Sequence, residues 1–386
     1  MEEKESKKEI KFFWGAATSA HQVEGGNKND WTEFEREKGL EQSGLACDHY
    51  NRFREDFDIA LSLGHNAHRL SIEWSRVEPR EGEFDEVAME HYRDVIAALR
   101  ERGLEPFVTL WHWTIPIWFR NRGGWVWRGA PDAFTRFAER MARALPEVRF
   151  WITLNEPDVY TTNGYLKGIW PPGIRSLRGF FRANKNLIEA HRKSFIAIKN
   201  LNPSAEIGIA QNVAYFEAAR GSLVNRAIKN FLEYYGPRYV LDRISDFQDF
   251  VGVNYYSRNW IDWGLYKNEN KSVSDMGWEI YPEGMYYVLK STAKRYSKPI
   301  YVLENGIADA KDEKRAKFIR EHIEVMQRAM REGVDVRGYF YWSLLDNFEW
   351  AHGFKPRFGL VEVDYKTMAR KVRNSAYEYR RLISQK

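Results

Sequence analysis

The chain has 386 residues, and its 59 basic and 54 acidic residues leave a formal net charge of only +5. The basic residues are spread along the chain, which argues against a nucleic-acid partner. A single cysteine, Cys47, excludes an intrachain disulfide framework and fits a reducing compartment. No apolar run has membrane-spanning length, and the charged N-terminal lead over residues 1–10 does not resemble a signal peptide. We therefore expect a soluble, cytoplasmic protein without a membrane span.

Apolar runs, glycine breaks and helical stripes predict eight strands that alternate with helices. The predicted strands are 11–18, 65–72, 105–111, 150–156, 206–210, 250–256, 299–304 and 337–343. Helical stripes begin near Phe53, Ala88 and Phe134, and further helices are predicted over 180–199, 225–242, 282–295, 313–331 and the C-terminal end.

Strict alternation of strands and helices implies a parallel sheet, and eight such units close into a (β/α)8 TIM barrel. No Pro/Ser-rich linker or shift in composition divides the chain, so we predict one domain over residues 1–386. An open, doubly wound sheet would require a Gly-rich phosphate-binding turn after the first strand. None is present there.

Aromatic residues are abundant, with 15 Trp, 21 Tyr and 23 Phe. Sugars present apolar C–H faces to aromatic rings, so this composition suits carbohydrate binding, although most rings in a large protein fill its core. Three long loops follow predicted strands, at 113–128, 157–176 and 344–360. They carry Trp113, Trp118, Trp125, Trp127, Trp170 and Trp350. Their position in loops favours a lined pocket. The charge-rich composition is also typical of thermophilic proteins.

Two glutamates directly follow apolar strands: Glu156 after strand four and Glu304 in strand seven, before Asn305 and Gly306. The carboxyl ends of barrel strands form the active site, so both side chains should reach one cavity. Cleavage of a glycosidic bond uses one carboxylic acid and one carboxylate, whose environments must separate their pKa values. A single glutamate after a strand can instead belong to a helix N-terminus, but the pair favours a glycosidase.

Three further polar residues lie at predicted strand ends. Arg69 and Tyr256 could donate hydrogen bonds to Glu304, or Arg69 could form a structural ion pair and Tyr256 could simply pack in the core. His112 could be a metal ligand, a general base, a donor to a sugar hydroxyl or a satisfied core histidine. Because His112 lies in no His-x-x-His or Cys/His spacing, we predict neither a metal nor a cofactor.

Seven motifs occur in an order that resembles glycoside hydrolase family 1, the β-glucosidase/β-galactosidase family. They are WGAATSAHQVEG at 14–25, RLSIEWSR at 69–76, TLWHW at 109–113, TLNEP at 153–157, VNYY at 253–256, LENG at 303–306 and YWSLLDNFEW at 341–350. The resemblance implies a retaining mechanism, with Glu156 as acid/base, Glu304 as nucleophile, and Arg69 and Tyr256 as supports of Glu304. It further implies sugar contacts from Gln22, His112, Trp113, Asn155, Trp342, Glu349, Trp350 and Phe358.

The resemblance also bears on the substrate. Glu349 would repel a phosphate on the sugar, so Glu349 with Phe358 implies unphosphorylated β-glucosides, galactosides or fucosides, or short oligosaccharides, cleaved from the terminal sugar inward, with transglycosylation as a side reaction. Glu156 excludes the plant thioglucosidase branch, which has Gln at that position. A non-catalytic sugar-binding barrel and a related endo-acting barrel glycosidase are the alternatives.

Two features depart from the family pattern. His21 stands where the family more often has Tyr or Phe, and only 97 residues separate Glu156 from Asn254. The family segment is longer, so we expect a shortened region around strands five and six. A missing barrel helix there would expose apolar surface, widen the cleft or require a partner subunit, such as a second copy in a homo-oligomer.

Overall fold

The computed structural model describes residues 11–263 and 265–385, so the charged lead over 1–10 lies outside the described residues. Its centre is a closed barrel of eight parallel strands, as predicted. In chain order these are β1 (Phe13–Ala17), β2 (Ala67–Ser71), β3 (Glu105–Trp111), β4 (Phe150–Asn155), β5 (Glu206–Asn212), β6 (Val251–Asn254), β7 (Ile300–Asn305) and β8 (Val336–Trp342). Pairing of β1 with β8 closes the barrel.

Helices cover the outside of the barrel. They include α1 (His49–Ser62), α2 (Glu86–Glu101), α3 (Ala130–Ala144), α4 (Leu177–Leu201), α5 (Leu223–Glu233), α6 (Tyr239–Ile244), α7 (Pro282–Tyr296), α8 (Arg315–Arg331) and α9 (Asn374–Ile383). Apolar stripes explain their packing: α3, for example, buries Phe134, Phe137 and Met141. Among the described residues, no helix combines the length and the apolar character that crossing a membrane requires.

The prediction of one helix over 225–242 is wrong. An irregular turn, Tyr234–Arg238, separates α5 from α6, because Gly236 leaves helical geometry (φ −78°, ψ −114°) and Pro237 lacks the N–H of a helix interior. α6 has only six residues and buries Val240, Leu241 and Ile244. α5 packs away from the barrel, beside an outer three-stranded sheet of Tyr215–Ala218, Arg258–Asp262 and Leu265–Tyr266.

Aromatic rings fill the interior of the barrel below the carboxyl ends of its strands. Phe107 and Phe150 stack with their ring centroids 4.1 Å apart, and Phe13, Tyr301 and Phe340 surround this pair. All five side chains are buried. This packed floor leaves open space only towards the carboxyl ends of the strands, where barrel enzymes bind their substrates.

Candidate active site

A cavity of about 350 Å³ opens at the carboxyl ends of the barrel strands, and both predicted glutamates line it. Its lining includes the predicted residues Gln22, His112, Trp113, Glu156, Tyr256, Glu304, Trp342, Glu349, Trp350 and Phe358. Arg69 and Asn155 lie behind this lining and contact it through hydrogen bonds. All twelve residues that the sequence singles out therefore lie in or directly beneath one cavity.

Glu304 is held by two hydrogen-bond donors. Nη1 of Arg69 lies 2.5 Å from Oε1 of Glu304, and the hydroxyl of Tyr256 donates to Oε2 at 2.6 Å. Both Arg69 and Glu304 are buried, so this charge-assisted contact is shielded from water. The two donors stabilise the negative charge of the Glu304 carboxylate and fix its orientation.

Glu156 has a different environment. Burial raises the pKa of its carboxyl well above the ordinary value, and the charge of Glu304 raises that pKa further. Two contributions oppose this rise in pKa: the hydrogen bond from Asn254, whose Nδ2 donates to Oε1 of Glu156 at 2.8 Å, and the charge of Arg69. Two carboxyl groups in one cavity thus have distinct settings: Glu304 faces a cation and a hydroxyl, whereas Glu156 favours its protonated form.

The backbone aims both carboxyl groups into the cavity. Glu156 has a left-handed backbone (φ 43°, ψ 60°) immediately before Pro157, which is rare for a residue other than glycine and is concentrated at functional sites. The pairing of β4 with β5 shifts register between Ile152 and Asn155. The pairings of β7 also shift next to Glu304. Such irregularities redirect the side chains that follow them.

Asn155 connects the two carboxyl environments. Its Oδ1 accepts from Nη2 of Arg69 at 2.7 Å and from Asn254 at 3.3 Å, and its Nδ2 lies 3.2 Å from Nε2 of His112. If Nε2 accepts this bond, Nδ1 of His112 carries the proton, and Nδ1 has no partner among the described residues. Burial and the charge of Arg69 lower the pKa of His112 well below its usual value, so the ring is a neutral donor.

Glu349 lies on the same cavity and is a third, partly buried carboxyl. Nδ2 of Asn347 donates to its Oε2 at 2.9 Å, and Nε2 of Gln22 donates to the same oxygen at 3.2 Å. Burial raises the pKa of Glu349 to about 7, and the charge of Glu304 contributes to that rise. The second carboxylate oxygen of Glu349 suits a hydroxyl of a polyhydroxylated ligand, whereas both N–H groups of Gln22 are already used, by Glu349 and by the carbonyl of Phe348.

Aromatic rings form one wall of the cavity. His112 stacks on Trp342 and on Trp350 at 5.9 and 6.1 Å between ring centroids, and Trp113 packs between Trp170 and Trp350. The other loop tryptophans, Trp118, Trp125 and Trp127, pack around Phe119. The prediction of a pocket role for all six loop tryptophans is therefore correct only for those at 113, 170 and 350.

Several lining residues were not identified from the sequence. The outer part of the cavity contains Val159, Asn163, Lys167, Ile169, Asn212, Met276, Trp278 and His352. Asn254 and Asn347 were also missed as partners of Glu156 and Glu349. Asn254 lies in the motif VNYY and Asn347 in YWSLLDNFEW, so their positions close to Tyr256 and Glu349 in the sequence were the available signal.

Comparison with known proteins agrees with this geometry. The family model for glycosyl hydrolase family 1 matches residues 6–240 and 239–386. β-Glucosidase A of Thermotoga maritima is 35% identical, with 96% of each chain covered. The β-glycosidase of Pyrococcus horikoshii has a TM-score of 0.91 and 38% identity, covering 96% of this chain and 93% of that chain.

A β-glucosidase structure from Thermotoga maritima, solved in complex with glucoimidazole, has a TM-score of 0.91 and 34% identity. It covers 97% of this chain and 98% of that chain. Several of the similar proteins thus come from the genera Thermotoga and Pyrococcus. Coverage of nearly the whole chain, together with two carboxyl groups in one barrel cavity, identifies this protein as a β-glycosidase that belongs to glycosyl hydrolase family 1.

Proposed function

We propose that the protein is a retaining exo-β-glycosidase that releases unphosphorylated terminal glucosyl, galactosyl or fucosyl groups. The observation that carries this proposal is the contrast between its two cavity glutamates. Glu304 contacts Arg69 and Tyr256, as a nucleophile requires, and the raised pKa of Glu156 suits a general acid.

In the first step, a carboxylate oxygen of Glu304 attacks the anomeric carbon. The bond from this carbon to the leaving oxygen breaks, and Glu156 gives that oxygen its proton. Glu304 is then an uncharged ester, so burial still raises the pKa of Glu156 but the contribution of the Glu304 charge is gone. Glu156, now ionised, takes a proton from water as the water attacks the anomeric carbon and the bond from this carbon to the Glu304 oxygen breaks. The sugar leaves with its original configuration, and both glutamates regain their starting states.

The glycone would lie over Trp342, with Gln22, Glu349 and Nδ1 of His112 directed to its hydroxyls; this nitrogen has no partner in the described part of the chain. Exo action is favoured by this dense polar cluster, in which Gln22 and Glu349 are bonded to each other. A phosphate on this sugar would meet the carboxylate of Glu349, which favours unphosphorylated substrates. An alcohol that replaces water in the second step would produce transglycosylation.

The test compares the wild type with Glu304→Gln and Glu156→Ala on an aryl β-glucoside. We expect Glu304→Gln to lose activity by about 10³-fold or more, because no covalent intermediate can form. Glu156→Ala should lose more on poor leaving groups than on activated ones, and added azide should rescue it as the β-glycosyl azide. An α-glycosyl azide, or undiminished turnover by Glu304→Gln, would refute the retaining mechanism.

A further inference from the structure

The loop after β4 and the first turns of α4 carry charge of one sign only. Between Asp158 and Glu189 the sequence has no acidic residue, and it has five basic ones: Lys167, Arg175, Arg178, Arg182 and Lys185. All five are exposed, and none forms an ion pair with another described residue. Arginines on other helices do form such pairs, as Arg143 does with Glu139. This short segment therefore carries a charge equal to the formal net charge of the whole chain, +5.

Large apolar side chains lie exposed among these cations. They are 38% to 64% exposed: Leu166, Ile169, Ile174, Leu177 and Phe181. On α4, the helical period places Leu177, Phe181 and Lys185 in one row, and it places Arg178 and Arg182 in the row beside it. A different face of the same turns is buried, with Phe180 and Leu187 on it. The outward face of the first turns of α4 is therefore both apolar and basic.

This outward face continues to the mouth of the catalytic cavity. Nε of Arg175 donates to the carbonyl of Lys167 at 3.1 Å, and the N–H of Ile174 donates to the carbonyl of Gly164 at 3.1 Å, so the loop folds back on its own start. Lys167 and Ile169 line the outer part of the cavity. Because α4 follows β4, its first turns lie at the carboxyl ends of the barrel strands. We call the exposed apolar and basic side chains of residues 166–185 the α4 rim.

We propose that the α4 rim docks on the surface of an anionic lipid bilayer, with the mouth of the catalytic cavity directed at the membrane. In this mode of binding, apolar side chains enter the headgroup region while Lys and Arg contact the lipid phosphates. The protein lies on the membrane and does not cross it. This inference goes beyond the proposed glycosidase activity and does not depend on it.

The composition of the α4 rim favours a bilayer over other anionic partners. A nucleic acid binds mainly through its charged backbone and would leave the side chains of Ile174 and Leu177 without apolar contacts. The core of a protein interface is depleted in charged residues and enriched in aromatic ones. The α4 rim has the opposite character, with four aliphatic side chains, one phenylalanine and five cations. A bilayer presents phosphates and apolar chains together, which matches both parts of the α4 rim.

Co-sedimentation with vesicles tests this proposal on the whole chain. We expect the wild type to bind vesicles made of equal parts phosphatidylcholine and phosphatidylglycerol, to ignore vesicles of phosphatidylcholine alone, and to be released by high salt. The triple variant Arg175→Gln/Arg178→Gln/Arg182→Gln should bind the mixed vesicles about 100-fold more weakly, because each basic residue near an anionic surface contributes about fivefold.

A second triple variant is the matched control. Lys294→Gln/Arg331→Gln/Arg380→Gln removes the same charge from the last turns of α7, α8 and α9. These three side chains are also exposed, and the last turns of barrel helices lie at the end opposite the catalytic cavity. This variant should keep most of the wild-type affinity for the mixed vesicles. Circular dichroism and thermal unfolding check that both variants are folded.

A polarity-sensitive dye on an introduced thiol identifies the docked face. Cys47 is fully buried, so a cysteine introduced by Ile174→Cys or Ile196→Cys is the accessible thiol. The two positions are matched, since Ile174 is 46% exposed and Ile196 is 49% exposed. Ile196 lies about 28 Å along α4 from its first residue, away from the α4 rim. On addition of mixed vesicles, the dye emission should shift to the blue for Ile174→Cys and should stay unchanged for Ile196→Cys.

Three results would overturn the proposal: a wild type that does not bind the mixed vesicles, two triple variants that are weakened equally, or a dye response that is the same at both positions. A wild type that ignores the vesicles but binds heparin through the three arginines would also overturn it and would assign the α4 rim to a soluble polyanion. None of these readouts uses glycosidase activity, so their failure would leave the proposed function intact.

Discussion

Arg69 and Glu304 form a buried ion pair with 2.5 Å between Nη1 and Oε1. The same guanidinium donates to Asn155 at 2.7 Å, so one side chain braces the carboxyl ends of both β4 and β7. Removal of Arg69 would leave a buried carboxylate with Tyr256 as its remaining side-chain donor among the described residues. The ion pair therefore both orients the Glu304 carboxylate and stabilises its negative charge.

Arg69→Lys should lower kcat by about 10²–10³-fold, because it removes the planar fork that contacts Glu304 and Asn155 together. Tyr256→Phe removes one hydrogen bond to a charged group and should cost about 10–100-fold. Steady-state kinetics on an aryl β-glucoside measures both losses. Tyr255→Phe is the matched control, since the Tyr255 hydroxyl donates to the carbonyl of Tyr281 outside the cavity. Equal losses in Tyr255→Phe and Tyr256→Phe would contradict the assignment.

The pH profile should respond to Asn254. Glu156 must be protonated to act as the acid, so kcat/KM should fall as the pH rises through its raised pKa. The hydrogen bond from Asn254 stabilises the ionised form and lowers that pKa. Asn254→Ala should therefore move the alkaline limb to higher pH by about 0.5–1 unit, the equivalent of one hydrogen bond.

Asn347→Ala is the control for this shift, because Asn347 donates to Glu349 and has no hydrogen bond to Glu156 among the described residues. Its alkaline limb should stay near that of the wild type. Movement of the limb to lower pH in Asn254→Ala would mean that the limb does not report Glu156.

Glu349 should make stability depend on pH. Its pKa of about 7 in the folded protein exceeds the ordinary value of 4.5, so folding favours the protonated form. This contribution to stability is complete below about pH 4.5 and is lost as the pH rises towards and through 7. Glu349→Gln cannot ionise and should gain stability over the wild type between pH 5 and pH 8, by at most about 3 kcal/mol.

Urea unfolding at pH 5 and pH 8 measures this gain. Glu101→Gln, at an exposed position on α2, is the control and should show no comparable gain. A Glu349→Gln variant whose advantage shrinks at pH 8 would contradict the raised pKa.

Glu349 should also discriminate against phosphorylated sugars. We expect the wild type to hydrolyse 4-nitrophenyl β-glucoside at least about 10²-fold more efficiently than its 6-phosphate, because two like charges repel at short range. Glu349→Ser should reduce this ratio by about tenfold or more as the charge is removed. A ratio that does not change would assign the selectivity to another residue.

The sequence predicted the barrel because buried strands appear as apolar runs that end at glycine or at polar residues. β3 begins and ends at the predicted residues, and α7 and α8 differ from prediction by one or two positions. The predicted helix over 225–242 failed because Gly236 and Pro237 interrupt it and because α5 packs on the outer sheet. Its apolar stripe was visible in the sequence, but the direction in which the stripe faces depends on the tertiary structure.

The sequence likewise predicted part of the candidate site but not all of it. The place of Glu156 and Glu304 in the cavity follows from their positions at the ends of predicted strands. The hydrogen bond from Asn254 to Glu156 could not be predicted from the sequence. It depends on the register between neighbouring strands and on the left-handed backbone of Glu156. Likewise, tertiary packing places Trp125 against Trp111 and Phe119 and places Trp113 on the cavity wall, although Trp113 and Trp125 lie in the same predicted loop.

The six residues of α6 amount to fewer than two helical turns, whereas α4 provides 25 residues. Strands β5 and β6 therefore have the thinnest helical cover in the described barrel. Amide hydrogen exchange should be fastest for these two barrel strands, because local opening is cheapest where few apolar contacts must break. Thermal unfolding of the barrel should accordingly begin on this side and reach β1 and β2 last.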